Sequence, residues 1–226
     1  MMIRESALPE LLAGEYLIKR YGATIADYER LADEDTRLEL LDGVLILQSA
    51  ADMHHEDLFG FLLVLLRMYA QRRRRGMVRG SRTAMILQRG RRFEPDLLFL
   101  KQANAGRCGK VSIRGPADLV IEILSPATRD YDLGDKRKAY AKGGIPELWL
   151  IDLPSSVFLV DRPAGTQLAS MEAGRYESRA LPGFWLDVDW LWQRPLPDPD
   201  ECLAKILGSR STTTQRRRNG RNGRTQ

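Results

Sequence analysis

The sequence predicts an α/β domain, and three stretches carry that expectation. Residues 115–152, GPADLVIEILSPATRDYDLGDKRKAYAKGGIPELWLID, read as strand, loop, helix and strand. The first apolar run stops at Ser125-Pro126, because proline lacks an N–H and pushes its predecessor away from helical angles. A basic helix follows as far as Gly143-Gly144, and residues 147–152 form a second apolar run. Residues 37–47, RLELLDGVLIL, set Asp42-Gly43 between two apolar runs, the signal of a hairpin whose type I′ turn needs positive φ at both central residues. Residues 55–69 are apolar nearly all round and predict a helix packed on more than one side.

The remaining elements are shorter. Residues 1–23 read as an N-terminal extension with a helix around 9–17. At 24–31 Thr24 stands as N-cap and Asp27 at capping-box distance, with Ile25, Tyr28 and Leu31 on one face. The arginines 72–75 close the long helix at the negative end of its dipole, and Gly76 is expected to supply the left-handed cap. Residues 83–87 and 96–100 read as strands joined by the basic turn GRRFEP, and 104–113 as a loop. Strands are expected at 156–161 and 176–179, a turn at Pro182-Gly183, one helical turn at 189–192 and a short helix at 201–207. The domain thus spans 24–195, a short helix or linker takes 196–208, and the low-complexity segment 209–226 is expected to be disordered.

A chain of 226 residues, 43% hydrophobic, has the length and composition of one domain with a real core. Its two cysteines, Cys108 and Cys202, lie far apart without CxxC spacing. That argues against a disulfide scaffold or a zinc knuckle and fits a reducing compartment. The longest apolar run, 58–66, is too short to span a bilayer, and the N-terminus lacks the ordered regions of a signal peptide. The expected location is cytoplasmic, with no membrane partner. The net charge of +5 misleads: six of the 35 basic residues and none of the 30 acidic ones lie in 209–226. The rest of the chain therefore has no overall cationic field, and any nucleic-acid contact there must come from local patches.

Glu122 sits inside an otherwise apolar strand, where a carboxylate is costly unless something charged meets it. Pro95 is tolerated only at a strand start or edge, which puts Asp96 at the first paired position of DLLFL. One loop separates the two strands. If they pair, both carboxylates can project from one face and repel. A hard divalent ion with oxygen ligands, Mg2+ or Mn2+, resolves that repulsion and can activate water beside a phosphoryl group. On the helix after Glu122, Asp132, Lys136 and Tyr140 recur at i, i+4 and i+8, so Lys136 can lean back toward Glu122 and stabilise developing charge. Lys138 and Lys142 lie on a different face, toward solvent. His55 opens the long helix and is a candidate for a place beside the site. Arg89, Arg91 and Arg92 are candidate phosphate contacts, set against the commoner role of solvated cations. The four tryptophans are expected in the core.

Glu39 in ELLDG, His55 in HHED, Glu94-Pro95-Asp96, the run 118–126 DLVIEILSP, Asp132, Lys136 and Tyr140, and the run 144–152 GIPELWLID together resemble the Uma2 family of the PD-(D/E)XK nuclease superfamily, over roughly residues 24–192. The resemblance implies a restriction-endonuclease-like α/β core, a mixed β-sheet flanked by helices, with the N-terminal β-hairpin as an extra. It implies Mg2+ held by Asp96 and Glu122, with Glu39 as a further acid at the metal. The chain departs from the superfamily pattern at one position: the lysine expected two residues after the acid is Leu124, and Lys136 is the substitute. The implied activity is a Mg2+-dependent endonuclease that hydrolyses DNA phosphodiester bonds, with Asp96, Glu122 and Lys136 as its catalytic residues. A homodimer would place two such sites on two strands. The alternatives are a nucleic-acid-binding module that keeps the fold without catalysis, and a hydrolase of another phosphate ester.

Overall fold

Among the described residues two six-stranded sheets hold all but two of the strands. The computed structural model describes residues 15–32, 36–80, 82–162 and 168–208. The helix expected around 9–17 lies for the most part outside these residues, and the tail 209–226 lies wholly outside them. The first sheet takes β4 (Gly76–Gly80), β7 (Leu97–Lys101), β9 (Leu119–Leu124), β10 (Leu148–Asp152), β11 (Val157–Asp161) and β12 (Ala169–Met171), in the order β12-β11-β10-β9-β7-β4. β9 and β10 run parallel and the other neighbours antiparallel, so the sheet is mixed. The parallel pair is the strand–helix–strand unit read from residues 115–152. Every residue of β9 is buried, as its near-continuous apolar run requires of a strand covered on both faces.

The second sheet takes β1 (Leu17–Tyr21), β2 (Leu38–Leu41), β3 (Val44–Gln48), β5 (Ala84–Gln88), β6 (Arg91–Phe93) and β8 (Ser112–Arg114), in the order β1-β3-β2-β6-β5-β8. The 37–47 hairpin forms as expected, with Asp42 at φ 47 and Gly43 at φ 89, the signs of a type I′ turn. It is the middle of this sheet rather than an appendage, because β3 also pairs with β1 and β2 with β6. The capping box at Thr24 and Asp27 is present. β13 (Arg175–Glu177) and β14 (Trp185–Asp187) make a separate hairpin. The helix Pro199–Gly208 buries Cys202, Leu203 and Ile206 in the main core.

Alternation along the first sheet sorts its side chains. Leu97, Phe99, Ile121, Ile123, Trp149 and Ile151 join the core built on the long helix Met53–Arg72. Leu98, Leu100, Val120, Leu124, Leu148 and Leu150 join a second core that also takes Met85, Phe93, Ala139 and Tyr140. Side chains alternate with period two, so Glu122 faces the second core, toward the helical segment 129–143. That segment is an α-helical turn Arg129–Tyr131, a π-helical turn Asp132–Lys136 and an α-helix Arg137–Gly143. Arg129 and Arg137 pin it to the ends of β10 and β11 through Asp152 (2.9 Å) and Asp161 (2.6 Å).

Three expectations change. GRRFEP is not only a turn, since its middle forms β6 and only Arg89-Gly90 turns the chain. The 104–113 loop contains part of a 3-10 helix, Gln102–Arg107, and β8. Gly76 is not the helix cap. The left-handed turn after the long helix falls on Arg74, at φ 48, and Gly76 opens β4 at φ 146, where an added Cβ would overlap the Leu100 carbonyl oxygen. A strand crossing that closely over its neighbour requires glycine. Gly76→Ala is therefore expected to cost about 3 kcal/mol, at the upper end for overpacking. Thermal denaturation should show a fall in Tm of roughly 10 °C.

Candidate active site

β7 and β9 pair antiparallel with Leu97 opposite Ile121. Asp96, one residue before β7, therefore stands opposite Glu122. It precedes the strand rather than opening it, because Pro95 stops the ladder. The Ile123 N–H beyond that point donates to Asp96 Oδ2 at 2.7 Å. Arg37 donates to Asp96 Oδ1, and His55 Nε2 lies 3.3 Å from Oδ2. His55 Nδ1 is buried without a hydrogen bond. His54, its neighbour, is exposed.

Lys136 lies at the centre of the other half of the cluster, with its side chain 1% exposed. Its Nζ is 2.9 Å from both Glu39 Oε1 and Glu122 Oε1, and 3.4 Å from Asp132 Oδ1. Tyr140 donates to Glu122 Oε1 at 2.6 Å. Glu39 takes the Glu94 N–H on Oε1 at 3.0 Å and the Tyr131 hydroxyl on Oε2 at 2.8 Å. The spacing of Asp132, Lys136 and Tyr140 placed those three on one face. Tyr131 is five residues from Lys136 and falls off that face in a regular α-helix. The π turn between them widens the helix and brings both side chains inward.

The arrangement is electrostatically unbalanced. Glu39, Asp96, Glu122 and Asp132 are all buried, and the permanent cations against them are Lys136 and Arg37. Burial opposes the charge on Lys136, yet Glu122, Glu39 and Asp132 hold it above its ordinary range. Burial also opposes ionisation of Asp96, but Arg37, His55 and the Ile123 N–H outweigh it and keep the carboxyl well below its usual value. For Glu122 burial wins: it pushes the carboxyl up, Asp96, Asp132 and Glu39 add to the shift, and Lys136 only partly offsets it. Burial raises Asp132 as well, and lifts the neighbouring Glu94 to about 7. Glu147 shows the contrast with a structural carboxylate. Its two oxygens accept from Trp149, Tyr176 and Ser178 and from the Arg179 and Ala180 N–H groups.

Asp96, Glu122 and Asp132 line a recess of about 10 Å³, room for about one water. Asp132 Oδ1 is buried there with the Lys136 ammonium at 3.4 Å as its ion-pair partner. The recess shares Arg37, Gln48 and Ser49 with an open groove of about 580 Å³ that continues to Glu56 and Arg82. Hard oxygen donors and a cluster of buried carboxyls suit Mg2+ or Mn2+ at Asp96 and Glu122. Glu39 fits such an ion less well, because it does not line the recess and its oxygens serve Lys136, Tyr131 and the Glu94 N–H. Among the described residues no group of three or more His, Cys, Asp or Glu side chains gathers as a metal cage, so Asp96, Glu122 and Glu39 do not meet as one ligand set. The lysine stands between them.

The basic turn residues lie elsewhere. Arg91 makes a bidentate pair with Asp42, at 2.8 and 2.7 Å. Arg92 pairs with Glu29 at 3.3 Å and covers the Tyr28 ring. Arg89 is exposed in the turn. Arg37 was missed in the sequence, although it stands two residues before Glu39 in an alternating run and so shares its face.

The architecture is that of a known class of α/β fold. The chain is similar in structure to "a putative nuclease belonging to DUF820" from Anabaena variabilis ATCC 29413, with a TM-score of 0.66, 16% identity, and coverage of 75% of this chain and 97% of the other. The Uma2 family, described as "Putative restriction endonuclease", matches residues 25–189. The chain belongs to the Uma2 family. No curated protein matches it. Among the described residues no helix is long and apolar enough to cross a membrane.

Proposed function

We propose that the protein is a metal-dependent endonuclease acting on DNA, with Asp96, Glu122 and Lys136 as its catalytic residues. The observation that carries this reading is the buried excess of carboxyl groups over cations beside an open groove: among the described residues, four acids against Lys136 and Arg37, two of the acids facing each other across paired strands. Bound Mg2+ would favour their ionised forms and supply Lewis-acid activation of water and phosphate. Asp96, kept ionised by Arg37, and Glu122 would hold it. Lys136, fixed by Glu39 and oriented through Tyr131 and Tyr140, would present a fixed positive charge to the phosphate. Arg37, at the junction of recess and groove, can release one Asp96 oxygen and meet an incoming phosphodiester with the same guanidinium.

Purified protein is expected to nick supercoiled plasmid with Mg2+ or Mn2+ and to stop when EDTA is added. Failure to cleave single- or double-stranded DNA or RNA with either metal would overturn the proposal. One observation favours the second reading, a nucleic-acid-binding module without catalysis: the Asp96 oxygens are already taken by Arg37, His55 and Ile123. In that case salt-sensitive binding survives Asp96→Asn and no metal induces cleavage.

A further inference from the structure

A second cavity, of about 290 Å³, lies where the site helix meets the second sheet. Its apolar lining includes Leu41, Val44 and Ile46, and Tyr131 is one wall. Tyr131 also belongs to the acidic cluster, since its hydroxyl donates to Glu39 while Lys19 lies 5.4 Å from the centre of its ring. The cavity is thus separated from the candidate active site by one side chain.

Its charges do not cancel. Arg91 is satisfied by Asp42. Lys19 is held loosely by Asp135, at 3.9 Å. Lys138 and Lys142 also line the cavity, one helical turn apart and both exposed. Among the described residues no carboxylate comes within ion-pair distance of either. Like charges four residues apart weaken a helix, while Lys142 in the last turn is favoured by the helix dipole. Beside them Tyr21 leaves 74% of its surface exposed. An aromatic ring in solvent, an apolar floor and two unbalanced ammonium groups match the two halves of a nucleotide, a stackable base and a phosphate. The volume is near the lower end for small-ligand clefts.

We propose that this cavity takes one unpaired nucleotide of the nucleic-acid strand, with its base against Tyr21 and the apolar floor and its phosphate on Lys138 and Lys142. The proposal rests on the nucleic-acid reading above and gives that site a flanking-nucleotide subsite. Full-length protein in EDTA, where nothing is cleaved, is irradiated with a short oligothymidylate carrying 5-iododeoxyuridine, and the crosslinked peptides are mapped. A crosslink at Tyr21 is expected. Lys138→Gln/Lys142→Gln, both exposed changes, should weaken oligonucleotide binding about tenfold and flatten its log–log salt slope by about 0.7, the value for one single-strand phosphate. Crosslinks confined to residues 209–226 or to other surfaces, or unchanged binding by the double variant, would overturn the subsite. Displacement of the oligonucleotide by micromolar dAMP would assign the cavity to a free nucleotide and also overturn it. Plasmid nicking separates the two ideas: cleavage without the Tyr21 crosslink removes the subsite and leaves the nuclease, and the crosslink without cleavage does the reverse.

Discussion

Lys136→Met is expected to destabilise the protein by about 3–5 kcal/mol, the range found when one partner of a buried ion pair is removed. It should also abolish cleavage. Methionine matches the aliphatic stem, so packing against Tyr131 and Tyr140 changes little. What is lost is the ammonium 2.9 Å from two carboxylates. Glu39 and Glu122 then face each other without a cation, inside a site from which water is nearly excluded. The deficit should be smaller in Lys136→Met/Glu39→Gln, which removes the charge left stranded on Glu39, and with Glu39→Gln alone the double-mutant cycle gives the coupling. Urea denaturation of the native protein and the three variants provides the numbers. A Lys136→Met protein as stable as the native one would mean that the lysine does not hold the cluster together, and its proposed place in catalysis would fall with that role.

Much of this cluster was legible because it violates local rules. A carboxylate in the middle of LVIEIL has no packing reason to be there, and Pro95 fixes where the neighbouring strand can begin, so Asp96 and Glu122 stood out before their register was known. The spacing of Asp132, Lys136 and Tyr140 carried the rest. What was not legible obeys no local rule. β4 reads GMVRG and β1 reads LIKRY, one flanked by glycines and the other largely exposed, so neither shows clean alternation. β6 has three residues, too few for a period. Arg37 looked like an ordinary charge before a strand, and only the third dimension gives it Asp96 as a partner. Tyr131 was hidden by the π turn, which no residue pattern in DYDLGDK announces. The same absence of a local signal misplaced the helix cap, because the contact that demands glycine at position 76 comes from Leu100, 24 residues away in the chain.

The two acids facing each other should respond in opposite ways to neutralisation. Burial lifts the Glu122 carboxyl to about 8. Between its ordinary value near 4.5 and that value, the folded protein holds a proton that the unfolded chain has released. Stability of the metal-free protein therefore falls as pH rises across this window. Glu122→Gln keeps the acceptor for Tyr140 and Lys136 and removes the titration. Measured in EDTA at pH 7.5, it should be at least as stable as the native protein, with a flatter dependence on pH. Asp96 behaves in the other sense. Its carboxyl is held low, so its stabilising contribution is present above its ordinary value of 3.8 and is lost only as pH falls through the depressed one. Asp96→Asn forfeits the charge that meets Arg37 and His55 and should lose about 1.5–3 kcal/mol at neutral pH, the range for a hydrogen bond to a charged group. Both variants should lose cleavage on the order of a thousandfold or more, since each removes a carboxylate proposed to hold the cation. Thermal scans with and without Mg2+ provide a readout independent of turnover. The native protein should gain stability with Mg2+, most above pH 7.5 where Glu122 must ionise, and neither variant should. Equal Mg2+ stabilisation of all three proteins would place the ion away from these acids.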